Sequence, residues 1–388
     1  MRERNSFGMR LSGISAAGAP KPSEVEVCIF GPGYGECLVI HIGNDHWIVV
    51  DSCLDPDYRM PVALLYLRSL GLEPASAIKL IVATHWHADH FRGIASTLDA
   101  APSAIFALSA ALQRDEFLSL VSRFETRPLL AAGSKLEEIS QVFRTLETEK
   151  ATRPRPKLAS EGKVLYQLAP AKSGHGFPCQ ILALSPSDAD HLAFLDRIAR
   201  LLPQVGSLKR PARDPMPNEA AVVVWVTIGD LGLLLGSDLE NSQDHATGWT
   251  AILNSASRPH GRAVVFKVPH HGSETGHNER VSSELLVAQP LALITPFLRG
   301  SKLPTGKDVA RIASLTPAAF SSTTVRNRQA KKRSPAVRRQ LKESRIRIRR
   351  LESSFGAIRL RLDCSKEQFI WGIEMFGEAT QLEYAIQQ

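Results

Sequence analysis

The sequence predicts a mixed α/β protein, because short apolar strands alternate with amphipathic helices along most of its 388 residues. Several of these strands also run directly into polar segments that carry histidine or aspartate. Composition is ordinary, with 44% hydrophobic and 22% charged residues, which excludes a collagen, a coiled coil and a wholly disordered chain. The length suits one large domain with appendages, or about two to three smaller domains.

The order of the elements follows from local patterns. Alternation over residues 24–30 (EVEVCIF) predicts a first strand, and residues 37–42 and 46–50 predict a hairpin around Gly43-Asn44-Asp45. Residues 61–71 predict a helix that ends at a glycine. Further elements are predicted as strands at 78–83, 181–185, 220–228, 231–235, 263–268 and 290–296, and as helices from 94 and over 191–202.

Composition also divides the chain into segments. We expect a flexible leader, a main domain with a variable helical excursion, a basic segment, and a C-terminal strand and tail that complete or pack on the domain. In the same order these segments are 1–23, 24–325 with its excursion at about 101–160, 326–350 and 351–388.

Targeting signals and cysteine usage favour a cytoplasmic protein. The N-terminal residues lack the apolar core of a secretory signal, and no stretch approaches the ~18 uncharged apolar residues of a membrane span. The five cysteines are widely spaced and form no C-x-x-C, which argues against a disulfide framework. We therefore expect no membrane partner.

Positive charge is concentrated in residues 326–350. This window holds 12 of the basic residues and one acid, whereas the whole chain carries a net charge of +8. Nucleic acid is the favoured partner of such a segment, and the alternatives are a solvated insertion or a protein-docking arm. The residues expected to contact nucleic acid are Lys331, Lys332, Arg333, Arg338, Arg339, Arg345 and Arg347.

The strongest chemical signal is Thr84-His-Trp-His-Ala-Asp-His90, which follows the apolar strand at 78–83. In an extended segment, His85 and His87 point to one side, and Asp89 and His90 follow where the chain turns. Imidazole and carboxylate groups together suit Zn²⁺, Mn²⁺ or Fe. The alternative is a set of surface histidines before a helix.

These residues resemble the metallo-β-lactamase superfamily, whose motif H-x-H-x-D-H is followed by Gly, here Gly93. The resemblance continues in IVVDS with Asp51, in LLLGSDLE with Asp238, and in KVPHHGSET with His270 and His271. The order of these motifs looks most like the competence DNA-uptake (ComEC-type) subgroup. It implies a four-layer αββα sandwich over about residues 24–325, with the basic segment as a C-terminal insertion.

The resemblance also implies roles for single residues. His85 and His87 would bind a first metal and Asp89 and His90 a second, with Asp238 as the bridge, although capping a helix is the ordinary role for such an aspartate. His270 is favoured over His271 as a further ligand, and His271 would then contact substrate or act as a general acid. The implied catalytic residues are Asp89, Asp238 and His271.

Two positions around this ligand set remain open. Asp51 is expected to orient a ligand histidine rather than to bind metal. The third histidine that many superfamily members supply to the first metal is not evident in the sequence. Asn218 and His191 are the candidates for that position, although a surface role is the simpler reading of His191.

The predicted activity is that of a binuclear metal-dependent hydrolase with two divalent cations, Zn²⁺ in preference to Mn²⁺. Two adjacent cations can share and activate a hydroxide. The chain contains neither G-x-S-x-G nor a P-loop, so serine hydrolase and nucleotide kinase chemistry lack support. The favoured substrate is a phosphodiester. The alternatives are a small carbonyl compound (lactone, thioester or β-lactam), and a partner-dependent component of a multiprotein system.

Overall fold

We describe the protein from a computed structural model. The structure describes residues 13–113, 135–169, 177–201, 217–300, 302–325, 355–366 and 370–382, together with Gln340 and Ser344. Within these residues it is a mixed α/β fold with two eight-stranded sheets, as the sequence predicts. No helix in the described part of the chain is long and apolar enough to cross a bilayer.

The first sheet has the strand order β15-β14-β1-β2-β3-β4-β5-β6. It begins as antiparallel pairs and becomes parallel from β3 to β6. Its strands are β1 (Glu24–Gly31), β2 (Cys37–His41), β3 (Trp47–Val50), β4 (Ile78–Ala83), β5 (Ile105–Ser109), β6 (Lys157–Ala159), β14 (Gly356–Asp363) and β15 (Gly372–Gly377).

The second sheet has the strand order β16-β13-β12-β11-β10-β9-β8-β7. Strands β10 to β13 are parallel, and the remaining pairs are antiparallel. Its strands are β7 (Val164–Leu168), β8 (Cys179–Ala183), β9 (Val224–Ile228), β10 (Leu231–Leu235), β11 (Ala263–Lys267), β12 (Leu286–Ile294), β13 (Ala319–Ser321) and β16 (Thr380–Gln381).

Helices cover the outer face of each sheet. Side chains cap some of them: Asn278 accepts from Arg280 N at the start of the helix Glu279–Leu285, and Thr305 and the N3 residue Asp308 form a capping box at the last helix. The helices are α1 (Val62–Ser69), α2 (Pro74–Ala77), α3 (Ala88–Phe91), α4 (Ile94–Ala100), α5 (Lys135–Thr148), α6 (Asp188–Leu201), α7 (Gly248–Asn254), α8 (Glu279–Leu285) and α9 (Gly306–Leu315).

Alternation along the strands creates a core on both faces of each sheet. In β1, Val25, Val27 and Ile29 face the second sheet, whereas Cys28 and Phe30 face α1. A third cluster packs α7, α8 and α9 against the second sheet. The layers therefore run helix, sheet, sheet, helix.

Two segments differ from the sequence-based expectation. Ile14 is fully buried in the core, and its carbonyl accepts a hydrogen bond from Arg359, so this part of the expected leader is anchored to the domain. The region expected to be a helical excursion supplies β5 and β6 to the first sheet as well as the helix α5. Both strands are short, and their pattern does not distinguish them from buried helix.

The polar segments gather at one edge of the sandwich. Strands β3 and β4 are parallel neighbours, as are β10, β11 and β12, so within each sheet their carboxyl ends lie together. The backbone hydrogen bond from Val222 N to Thr84 O, at 3.1 Å, ties the two sheets at this edge. The predicted site residues follow these strand ends.

Candidate metal centre

The H-x-H-x-D-H segment leaves β4 extended and then forms the short helix α3. His85 and His87 lie before the helix, and the His85 Nε2 atom is 3.2 Å from His87 Nδ1, as expected for side chains on one side of an extended segment. Asp89 and His90 lie on α3, and the His90 amide donates to His87 O at 2.9 Å. One continuous stretch thus presents four side chains capable of binding metal.

The second sheet completes two groupings of these side chains. One consists of Asp89, His90, Asp238 and His271, and the other of His85, His87 and Asp238. In the first, His271 Nε2 is 3.1 Å from Asp89 Oδ2 and 3.3 Å from Asp238 Oδ2. In the second, His85 Nε2 is 3.9 Å from Asp238 Oδ2. Asp238 is therefore the residue that both groupings share.

Buried atoms without hydrogen-bond partners show that this donor set fits divalent metal ions. His90 Nε2 and Asp238 Oδ1 are both buried and lie 3.3 Å from each other, yet neither atom makes a hydrogen bond in the described structure. Leaving such atoms unpaired is costly, and a cation would satisfy both. Imidazole nitrogen and carboxylate oxygen are the ligands that Zn²⁺ and Mn²⁺ accept.

Hydrogen bonds behind the cluster fix which histidine nitrogen faces it. His271 Nδ1 lies 2.8 Å from Thr295 O, and because a carbonyl only accepts, Nδ1 carries the proton. His90 Nδ1 lies 2.7 Å from the carboxylate of Asp51 and donates in the same way. In each neutral ring the lone pair is then on Nε2, which faces the cluster.

Asp51 is held in place for this role by the start of the motif. Its Oδ1 accepts from Thr84 N at 2.8 Å, and its Oδ2 accepts from Thr84 Oγ1 at 2.7 Å. It also groups with His85 and His90, but these bonds already occupy both of its oxygens. Asp51 therefore orients His90 in this structure.

The backbone is strained where these residues leave the strands. Asp51, Ser237 and His271 have φ values of 58°, 46° and 52°, in the left-handed region that non-glycine residues rarely adopt. Each such residue costs about 1–3 kcal/mol and persists only because the surrounding structure enforces its conformation. Two of the three carry side chains into the centre, and Ser237 precedes Asp238.

The cluster's charges strongly perturb its protonation. Burial alone lowers the pKa of His271, but the carboxylates of Asp238 and Asp89 raise it to about 10. Burial likewise opposes ionisation of Asp238, yet His271 and His90 hold the pKa of this carboxyl well below its usual range. Burial and the neighbouring His90 hold the pKa of His85 well below the usual value. A bound cation would replace the protons that otherwise balance these carboxylates.

The choice of His270 over His271 is corrected by this geometry. His270 lies outside the groupings, 20% exposed, with its Nδ1 2.8 Å from Thr275 Oγ1 and 3.4 Å from Glu240 Oε1. His271 is buried and points into the cluster. Both residues have positive φ values, so neither lies on a regular strand, and strand alternation does not indicate which one faces the cluster.

The two candidates for the third ligand of the first site have different surroundings. The Asn218 amide donates to Glu240 Oε1 at 2.7 Å and lies 3.5 Å from His270 Nε2, which places this residue at the rim. Its Oδ1 atom is buried without a partner among the described residues. His191 is buried on α6, outside the His and Asp groupings found in the described chain.

Sequence reasoning missed a buried ion pair beneath the centre. Lys267 Nζ lies 2.8 Å from Glu36 Oε2, donates to Ser237 O at 2.8 Å and is 3.7 Å from Asp238 Oδ1. Thr295 Oγ1 also donates to Glu36. Burial lowers the pKa of Lys267, but Glu36 and Asp238 outweigh it and raise the pKa above its usual value. The sequence contained one sign of this ion pair, because a lysine ends the otherwise apolar strand sequence AVVFK.

The residues proposed to contact nucleic acid lie outside the described part of the chain. They are Lys331, Lys332, Arg333, Arg338, Arg339, Arg345 and Arg347.

A family model for the metallo-β-lactamase superfamily matches residues 30–111, which include Asp51 and the H-x-H-x-D-H segment. No curated protein matches the sequence significantly.

Solved structures of low sequence identity are similar in part. A metallo-β-lactamase HARLDQ-motif mutant from Cronobacter sakazakii is 15% identical with a TM-score of 0.30, covering 60% of this chain and 70% of its own. Zn²⁺-bound PqqB from Methylobacterium extorquens is 13% identical with a TM-score of 0.27, covering 60% of this chain and 58% of its own. The hydrolase AbOPH of the β-lactamase superfamily is 20% identical with a TM-score of 0.24, covering 38% of this chain and 51% of its own.

The family match covers the first half of the centre, and the fold supplies its second half from the other sheet. The match to the metallo-β-lactamase superfamily model is thus confined to residues 30–111, and the remaining two members of the groupings, Asp238 and His271, lie outside it.

Proposed function

We propose that this protein is a binuclear metal-dependent phosphodiesterase that acts on nucleic acid. The proposal of two metal ions rests on the position of Asp238. This residue lies close to both His85 and His271, so it belongs to two adjacent groupings. A carboxylate with two oxygens can contact both members of a metal pair.

Different residues of the chain would have different roles around such a metal pair. Bound divalent ions would supply an activated water and stabilise charge on the phosphoryl oxygens. Asp238 balances charge between the two positions, while Thr295 and Asp51 fix the rings of His271 and His90. Of the six residues in the two groupings, His87 is the partly exposed one, so substrate approaches from its side.

Two observations support a phosphodiester substrate. The window 326–350 carries 12 basic residues and one acid, which suits a polyanion more than a neutral lactone or thioester. The order of the motifs also resembles the competence DNA-uptake subgroup.

The reaction class is tested with three chromogenic assays in parallel. Protein loaded with Zn²⁺ or Mn²⁺ is assayed with bis-p-nitrophenyl phosphate, nitrocefin and a thioester. We expect diester turnover that is lost in Asp238→Asn and retained in His260→Ala, an exposed histidine outside the centre. Turnover of nitrocefin or thioester without diester turnover would overturn the proposal. Bound metal with no turnover in any assay would favour the partner-dependent alternative.

Nucleic-acid binding is tested through the salt dependence of affinity. The test variant replaces five basic residues with Ser: Lys331, Lys332, Arg333, Arg338 and Arg339. Each phosphate contact on duplex DNA contributes about −0.9 to the slope of log affinity against log salt concentration. We therefore expect this slope to become less negative by several units in the variant. Turnover of bis-p-nitrophenyl phosphate should hardly change. An unchanged affinity and slope for both DNA and RNA would remove this support for a nuclease.

A further inference from the structure

We propose that a cavity of ≈330 Å³ beside the metal centre binds a second phosphate group of the substrate, adjacent to the scissile diester. The inference rests on the proposed phosphodiesterase function and narrows its substrate class. The substrates would be phosphodiesters that carry a neighbouring phosphate, as nucleotides within a strand do.

The cavity is lined by sequence neighbours of the residues in the centre. Ala88, which separates His87 from Asp89 in the motif, lines it, and so does Cys53, two residues after Asp51. The loop after β1 and the loop after β12 close the rim, where Leu298 N donates to Gly33 O at 2.8 Å. A group bound in the cavity therefore lies next to the residues that would hold the metals.

The charged residues that line the cavity are all positive. Arg59, Arg92 and Arg299 line it, and no lining residue is acidic. Among the described residues, none of the three arginines forms an ion pair with a carboxylate. Arginine binds phosphate through paired N–H groups, and guanidinium groups without a carboxylate partner on one wall favour an anionic ligand.

Aromatic stacking holds the arginines in position. The Arg299 guanidinium lies 4.0 Å from the centroid of the Tyr34 ring, and that of Arg92 lies 5.9 Å from it. Tyr34 packs on Phe297 at 5.4 Å between ring centroids, and Phe297 packs on His271 at 5.4 Å. A stacked guanidinium keeps its N–H edge available for hydrogen bonding. This chain of rings connects the cavity directly to a residue of the metal centre.

The size of the cavity agrees with this ligand. Small-molecule sites typically span about 300–1,000 Å³, so the volume is at the lower end and suits a phosphate with part of its sugar. A neutral carbonyl substrate would gain nothing from three arginines. The cavity thus favours the phosphodiester interpretation over a neutral lactone or thioester, whereas a β-lactam, which carries a carboxylate, would also be attracted to it.

The first test is a binding measurement that does not depend on turnover. The full-length, metal-loaded protein is titrated calorimetrically with thymidine 5′-monophosphate and with thymidine 3′,5′-bisphosphate. We expect the bisphosphate to bind at least about 10-fold more tightly, as one charge-assisted hydrogen-bonded group contributes. The preference should fall below about 3-fold in the double variant Arg92→Gln/Arg299→Gln. It should persist in Arg68→Gln, an exposed arginine on α1.

The second test compares the p-nitrophenyl ester of thymidine 5′-monophosphate with and without a 3′-phosphate. We expect a higher kcat/KM for the ester that carries the 3′-phosphate. In the double arginine variant the two esters should have nearly equal kcat/KM values. Turnover of bis-p-nitrophenyl phosphate by this variant should stay within a few-fold of that of the unchanged protein. Thermal unfolding verifies that the variant is folded, and Arg92→Lys/Arg299→Lys should recover part of the preference.

The outcomes separate the two proposals. Diester turnover without any preference for the second phosphate, or with a preference that survives in the double variant, overturns the cavity inference alone. A bisphosphate preference that depends on the arginines supports the cavity inference, and if no diester is hydrolysed at the same time, it is the phosphodiesterase function that fails.

Discussion

The two sheets supply the candidate metal centre in different ways. The first sheet supplies four side chains from one continuous stretch, His85 to His90, at the end of β4. The second supplies Asp238 and His271 from the ends of two separate strands, with left-handed backbone at Ser237 and His271. Spacing along the chain can therefore build half of such a centre, whereas the other half depends on strand pairing and on local backbone strain.

The largest effect is expected where the two halves meet, at Asp238. In Asp238→Asn the amide cannot balance the charge of two cations, so turnover should fall by more than about 100-fold, beyond the loss typical of residues that only orient ligands. Diester kinetics and elemental analysis measure the change, and circular dichroism verifies folding. Asp230→Asn, in the exposed turn before β10, is the matched control. Near-normal turnover and metal content in Asp238→Asn would show that the second sheet does not complete the centre.

The next effect concerns the ion pair that joins the sheets beneath the centre. Lys267→Met leaves the buried Glu36 carboxylate uncompensated, which should lower the free energy of unfolding by about 3–5 kcal/mol. Adding Glu36→Gln should restore part of this loss, because the two changes are coupled. Urea unfolding of the single and double variants measures the coupling, with the exposed Lys366→Met as control. Additive losses in the two single variants would argue against a pair.

The third prediction separates the two neighbouring histidines of the second sheet. His271→Ala removes a side chain that faces Asp89 and Asp238, so we expect a lower metal content per chain. His270→Ala should retain the metal, because His270 contacts Thr275 and Glu240 instead. Elemental analysis of both variants after dialysis decides between them. The reverse pattern would restore the choice that the sequence favoured.

The smallest effect is expected within the first sheet, at Asp51. Asp51→Asn weakens the hold on His90 Nδ1 but removes no group from the cluster itself, so metal affinity should fall by about 10–100-fold. Competition with a chromogenic chelator measures this affinity. Asp45→Asn, in the exposed turn between β2 and β3, supplies the control. A complete loss of metal would mean that Asp51 is itself a ligand.

Sequence patterns alone determined much of the fold. The turns at Gly43-Asn44-Asp45 and Gly229-Asp230 join antiparallel strands as predicted, because both sites favour positive φ and apolar alternation flanks them. The H-x-H-x-D-H segment was also predictable, since its chemistry lies within six consecutive residues. The strands β5 and β6 were not predicted, because parallel pairing partners distant in sequence stabilise them.

Which side chains meet at the strand ends depends on how the two sheets pack together. It placed His271 rather than His270 beside Asp238, because the backbone turns sharply at both histidines and regular alternation no longer applies. It also brought Glu36 to Lys267, and Arg92 and Arg299 to Tyr34, from segments far apart in the chain. A single sequence contains local signals of period two or 3.6, but contacts between distant loops arise only when the two sheets pack and their carboxyl ends meet.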